Sequence, residues 1–423
     1  MFFFMLLYLF FVLVRFQDYP EWASLGIPVL PIFLIAALLF WLPSRNKDLS
    51  APQFVLLPAF LLVLMLSQIF NGWMGGAIVQ LASFGPSIIA FLVLSHVATH
   101  RRHVVTTMAL IVLCSAVLAV HGIDQATYGI GWTGVGLSQE TRIQYVGIFN
   151  DPNDLGLLFI MALPMAMFLS ARGGLLGLRR LFWWAGGGLL LYGIFLTSSR
   201  GALLALIAVL GIWIWRRRGL ATAMLLGGGA LAGIMMLPSR MGEIDAGEAS
   251  AAGRVDAWYT GLEMFIAHPL FGIGPGNFAD NNFNLTAHNS FVLVLAETGF
   301  FGYAIWVAFV CYGFMMMSAI LRHEPNLIAP SEIADWKFER SVAMTLLLSQ
   351  VGFFTATFFL SRSYVILLYL LAALVLGNYL GARQRYPGLP RFELSRDLLR
   401  WPMVAVGSII GLYLLVKILL VTS

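Results

Sequence analysis

LFWWAGGGLLLYGIFLTSSRGALLALIAVLGIWIW, residues 181–215, is apolar along almost its whole length and is broken by one ionisable side chain, Arg200. A helix needs about 20 apolar residues to cross the hydrocarbon of a bilayer, so this stretch reads as two crossings that meet at the Ser-Ser-Arg turn. A charge at membrane depth costs several kcal/mol unless it is paired or faces a wet cavity. Arg200 is therefore either a functional group or the headgroup anchor of a Ser-rich turn.

Runs of the same kind extend outward in both directions, near 1–14, 25–42, 52–70, 73–97, 104–122, 155–171, 181–198, 201–215, 219–237, 298–321, 341–360, 363–381 and 402–421. They predict an all-α fold, a polytopic transmembrane helix bundle of about 12–13 spans, with residues 1–423 as a single integral membrane domain. The first run has neither a basic leading segment nor a small-residue cleavage site, and it reads as a retained helix. Composition agrees: 60% of residues are hydrophobic, only 11% are charged, and the mean hydropathy is +0.87, which excludes the water-soluble classes. The glycines and prolines fall inside apolar stretches, where membrane helices tolerate them, and so do not signal disorder. Cys114 and Cys311 also lie inside apolar runs, which excludes a disulfide scaffold and a cysteine metal cluster.

The net charge of +5 gains meaning from its distribution. With a cytoplasmic N-terminus, 18 of the 25 basic residues fall on the inside, among them Arg101, Arg102, Arg216, Arg217, Arg218 and Arg385. Only Arg15, Arg142, Arg200, Arg240, Arg254 and Arg362 fall outside, with Lys417 at the outer end of the last span. This bias predicts a multi-pass membrane protein with its N-terminus in the cytoplasm. The basic residues then meet lipid, and nucleic acid is not expected as a partner. The inner segment 322–340, RHEPNLIAPSEIADWKFER, reads as a solvated connector.

Two outer segments, roughly 123–154 and 238–288, exceed the length of ordinary turns and are rich in Gly, Asn, aromatic and charged residues. They are the predicted active face, on the outer side. In the second, AGRVDAWYTGLEMFIA (252–267) puts Val255, Trp258, Tyr259, Leu262, Phe265 and Ile266 on one stripe of an amphipathic helix. Arg254 lies one turn before Trp258, either as a snorkelling side chain or as a phosphate ligand. HPLFGIGPGNF (268–278) spaces its glycines G-x-G-x-G after a helix, which makes a tight turn and no dinucleotide site. His288 and Asn289 then begin an apolar helix, and a histidine at that boundary suits either capping or proton transfer near neutral pH. Arg142 precedes Asn150, Asp151, Asn153 and Asp154, where Asp154 reads as an N-cap and the asparagines serve either as turn residues or as ligands of sugar hydroxyls. Arg362, in FFLSRSY, has the same form as Arg200. None of the three lysines, Lys47, Lys337 and Lys417, follows a glycine, so there is no P-loop.

Five strings in order, VGIFNDPNDLG (146–156), TSSRGA (197–202), GRVDAW (253–258), HPLFGIGPGNF (268–278) and AHNSFVLVLAETGFFG (287–302), resemble the O-antigen ligase and polymerase superfamily of bacterial inner-membrane glycosyltransferases. The resemblance covers roughly residues 140–305. It implies a donor glycan on an undecaprenyl diphosphate carrier and an acceptor hydroxyl on lipid A-core oligosaccharide, on another carrier-linked glycan or on a protein. It further implies that Arg200 and Arg254 hold the diphosphate, that His288 acts on the acceptor hydroxyl, and that neither metal nor other cofactor is required. Asn289 and Glu297 are candidates to orient His288, and Arg142, Asn150, Asn153 and Arg362 are further candidate substrate ligands. One departure is the second outer loop, which is short for a ligase and leaves the acceptor open among the three classes. Two readings outside the superfamily were weighed. A metal-dependent transferase would use Asp18 and Glu21, and a transporter of the same lipid would use the arginines as a path.

Overall fold

The computed structural model describes residues 1–45, 47–172, 177–236, 251–326 and 329–422. Among them lie fifteen α-helices: α1 (Phe2–Val14), α2 (Pro20–Ala23), α3 (Val29–Trp41), α4 (Gln53–Phe70), α5 (Met74–Val97), α6 (Arg101–Tyr128), α7 (Pro152–Ser170), α8 (Leu178–Thr197), α9 (Arg200–Arg218), α10 (Leu220–Met236), α11 (Ala251–Ala267), α12 (Ser290–Arg322), α13 (Pro330–Thr357), α14 (Ile366–Arg385) and α15 (Arg400–Thr422). Thirteen of the fifteen coincide with the predicted spans, and the other two are the four-residue α2 and the amphipathic α11. The fold is an all-α polytopic bundle, and the described residues contain no strand. Seven helices, α4, α5, α6, α7, α12, α14 and α15, are long and apolar enough to cross a membrane, while α1, α3 and the described part of α10 are shorter apolar helices.

Burial sorts the helices into layers. α7 and α14 are the most enclosed, and their buried residues include Phe159, Ile160, Tyr369, Leu374 and Tyr379. α7 packs on α8 and α13, α14 on α5, and α12 on α4 and α13. α15 lies outermost, with Met403, Ile410, Leu414 and Ile418 exposed along one side, the expected surface for lipid contact.

Local chemistry sets the helix ends near the predicted active face. Asp151, not Asp154, caps α7: its side chain accepts from the backbone N–H of Asn153 at 2.7 Å, and Pro152 occupies the first helical position with its φ already suited to a helix. Asp154 falls in the first turn, where its side chain is free for another task. α8 ends at Ser198 in the left-handed conformation, and Ser199 caps α9 by accepting from Ala202 N–H at 3.3 Å. The break in the long apolar run is thus a two-residue corner, and the helices diverge from it, α8 onto α6 and α7, α9 onto α13 and α10.

The opposite end corrects the reading of 322–340 as a solvated connector. From Pro330 the chain is already α13, with Trp336 and Glu339 buried. The Glu339 carboxylate accepts from Arg101 Nε at 2.6 Å and Arg385 Nε at 2.8 Å, and Asp335 pairs with Arg101 at 3.0 Å. A carboxylate between two guanidinium groups can be withdrawn from water, so charges that look solvated in sequence are spent on each other. α6 also runs six residues into the predicted first outer loop, to Tyr128.

Candidate active site

The corner between α13 and α14, residues 358–365, organises the predicted active face. Its Phe359 lies against Gly201, next to Arg200. Its Phe358 ring stands 5.5 Å from the Trp258 ring, one turn after Arg254, and 6.2 Å from the Phe291 ring, three residues after His288. Leu360 carbonyl accepts from Ser290 Oγ at 2.7 Å, and that same Oγ accepts from Arg362 N–H at 2.9 Å. The elements carrying Arg200, Arg254 and His288, remote in sequence, therefore converge on one aromatic corner. Below it Phe291, Phe314, Val351, Phe354, Thr355, Phe358 and Phe359 line an open-sided apolar cavity of about 380 Å³.

Arg200 and Arg254 share an unusual setting. Each sits in the first turn of its helix, α9 and α11 respectively, and Arg200 is exposed while Arg254 is half-buried. A cation at a helix N-terminus stands against the helix dipole, and the two positive ends together favour an anion beside them. α11 has the predicted amphipathic form: Val255, Trp258 and Leu262 are buried and Tyr259 and Phe265 half-buried, whereas Ile266 is exposed. Lys417 of α15 lies 4.6 Å from the centre of the Tyr259 ring, so the last helix covers the flank of α11.

His288 has φ 47, a left-handed conformation uncommon for a residue with a side chain, and is half-buried immediately before the α12 cap. That cap is Asn289, whose Oδ1 accepts from Phe291 N–H at 2.8 Å and Val292 N–H at 3.1 Å. The carboxamide of Asn289 thus serves α12 itself. Glu297 is buried and its Oε1 accepts from Gly276 N–H at 2.9 Å.

Three of the remaining candidates form a second cluster. Buried Arg142 donates from Nε to Thr197 carbonyl at 3.0 Å, where the carbonyl end of α8 attracts a cation, and from Nη2 to Asn153 Oδ1 at 3.0 Å. Arg362 makes a two-oxygen ion pair with Asp154, with Nη2 to Oδ2 at 2.7 Å, and Asp151 lies 3.9 Å away. Burial disfavours the Arg362 charge, and the hydrogen bonds that it donates to Asp154 more than offset this, so its pKa is raised above the ordinary arginine value. The two clusters touch through Arg362 and Ser290. Asn150 follows a short 3-10 turn and is exposed. Sequence reasoning missed the Asp154–Arg362 pairing, Ser290 and the Phe358–Phe359 corner. A pairing inventory could have found the first, because a carboxylate one turn into a membrane helix needs a cation. Arg240, Glu243 and Asp245 of the second outer loop lie outside the described residues.

Residues 185–307 match the family model described as O-Antigen ligase. That stretch is similar to the O-antigen ligase family. It runs from within α8 to within α12 and contains Arg200, Arg254, His288, Asn289 and Glu297, but not Arg142, Asn150, Asn153 or Arg362. The match supports transferase activity of the ligase and polymerase kind. Among curated proteins none matches the chain.

Proposed function

We propose that this protein transfers a glycan from an undecaprenyl diphosphate carrier to a hydroxyl acceptor, first of all lipid A-core oligosaccharide, on the periplasmic face of the inner membrane. One observation carries the reading: two helix N-termini bearing Arg200 and Arg254, and the turn bearing His288, meet at a corner whose other side is an aromatic cavity. Cations above an apolar cavity suit an amphiphile with an anionic head.

In this mechanism Arg200 and Arg254 bind the diphosphate oxygens and stabilise the charge that grows on them. His288 takes the proton of the acceptor hydroxyl. The hydroxyl oxygen forms a bond to the anomeric carbon as the bond from that carbon to the diphosphate oxygen breaks, its electron pair leaving with the diphosphate. A single displacement inverts the anomeric configuration. The carrier diphosphate supplies the driving force, so the chain needs no nucleotide site.

The test is the surface glycan of a deletion strain complemented with wild type, Arg200→Ala, Arg254→Ala or His288→Ala at equal membrane levels. The arginine variants are expected to lose about 100-fold or more of transfer, and His288→Ala about 100- to 10,000-fold. Wild-type glycan from His288→Ala would remove the base and favour a lipid transporter. The product missing from the inactive strains identifies the acceptor. Unligated polymer marks a ligase, single repeats on lipid A a polymerase, and unmodified protein a protein O-glycosylating enzyme.

A further inference from the structure

α12 is broken at Gly299, which has φ 64 and ψ −162 inside an otherwise continuous helix. A break frees backbone groups, and inside a bilayer every one of them needs a partner. The turn segment 269–274 supplies them: Ile273 N–H donates to Ala296 carbonyl at 3.0 Å, Gly274 N–H to Glu297 carbonyl at 3.1 Å, and Phe300 N–H to Pro269 carbonyl at 2.8 Å. The polar end of α4 then satisfies the segment, with Asn71 Nδ2 donating to Gly272 carbonyl at 2.9 Å and Gln68 Nε2 to Pro275 carbonyl at 2.7 Å. These bonds fix residues 269–275. The next residues, 276–289, lead to His288 through turns bonded among themselves, including Asn277 Nδ2 to Ile273 carbonyl and Asn282 Nδ2 to Leu285 carbonyl, and one side chain ties their start to α12.

That side chain is Glu297. Its Oε1 accepts from Gly276 N–H at 2.9 Å and from Phe278 N–H at 3.4 Å, and Tyr364 of the α13–α14 corner lies close to the same carboxylate without a hydrogen bond to it. Phe278 is buried against α11 and α12, where a Cβ on Gly261 would meet its ring. Glu297 therefore links the turn after the Arg254 helix, the helix that His288 precedes and the corner where the site elements meet. It lies nine residues along α12 from His288, about 13 Å of helix, which is too far for direct proton exchange.

We infer that Glu297 is a positioning residue, whose carboxylate holds the 276–278 turn and through it the backbone path to His288, without touching substrate. The inference rests on the transferase reading for its effect on activity, but its structural content is independent. Glutamine keeps the Oε1 acceptor for the Gly276 and Phe278 N–H groups, so it preserves the positioning while removing the charge. Alanine removes both.

The experiment uses full-length protein in lipid nanodiscs, with amide hydrogen exchange read over residues 274–289, alongside the complemented-strain glycan. For Glu297→Ala, exchange is expected to speed up about 10-fold or more and glycan transfer to fall about 10- to 100-fold. Glu297→Gln is expected to stay within about twofold of wild type in both. A Gln variant as inactive as Ala, with wild-type exchange, would show that the charge itself acts and would overturn the inference. Wild-type exchange in the Ala variant would overturn it as well. If Glu297→Ala fails to reach the membrane, the Gln variant decides: retained activity supports positioning and lost activity removes it. If His288→Ala keeps wild-type glycan, the transferase reading fails alone, and the exchange data still settle what Glu297 holds.

Discussion

Arg362 and Asp154 stand 208 positions apart in sequence and meet as a two-oxygen ion pair at the mouth of α7. Neither charge is well placed alone: Asp154 is buried and Arg362 is only partly reached by water. Removing one partner of such a pair leaves the other desolvated and costs about 3–5 kcal/mol, far more than the pair contributes over an apolar replacement. Asp154→Ala and Arg362→Ala are each expected to lower the thermal midpoint of the purified protein clearly. The double variant is expected to cost less than their sum, by about 0.5–3 kcal/mol of coupling. Additive effects would mean that Asp151, at 3.9 Å, takes over the role. Arg362 shares its Ser-rich setting with Arg200, and its own charge is matched by a carboxylate one helix turn inside the bundle.

At the scale of the element, the α12 break gives a sharper test. Gly299 occupies backbone space that is nearly restricted to glycine, and a Cβ there would collide with the backbone of Leu270. Gly299→Ala is expected to destabilise the protein by about 1–3 kcal/mol from the backbone conformation alone. Gly188, on α8 with open space around it, is the control: alanine there is expected to be neutral or to stabilise by up to about 1 kcal/mol. Equal effects at both positions, measured by thermal unfolding, would remove the break as a constraint. The break also marks where the sequence stopped being legible. Hydropathy found thirteen helices because their apolar length is a local property, and it placed Arg200, Arg254 and His288 at the same end. It began α12 at 298 because AHNSFVLVLAETG mixes polar and apolar residues, and the partners that let Glu297 and the freed carbonyls sit there come from 269–278 and α4. Burial of Glu339 was hidden for the same reason, since Arg101 and Arg385, which make it tolerable, lie far away in sequence.

For the molecule as a whole, the charge map makes a prediction that neither packing nor family likeness contains. The end with Glu339, Arg101 and Arg385 carries most of the basic residues, and the end with Arg200, Arg254 and His288 few of them. Basic loops resist translocation, so the first end should face the cytoplasm and the second the periplasm. Phe283 is 95% exposed beside the candidate site, and Lys337 is exposed on α13 at the opposite end. In a background with Cys114 and Cys311 replaced by alanine, a membrane-impermeant maleimide added to spheroplasts is expected to label Phe283→Cys at once and Lys337→Cys only after permeabilisation. The reverse pattern would invert the protein and remove the periplasmic site, because Arg200 and His288 would then open to the cytoplasm. The expected pattern would put the arginines, the histidine and the aromatic cavity on the side where the positive-inside rule leaves few other cations. There, an anionic head group would meet Arg200 and Arg254 with little competition from the rest of the chain.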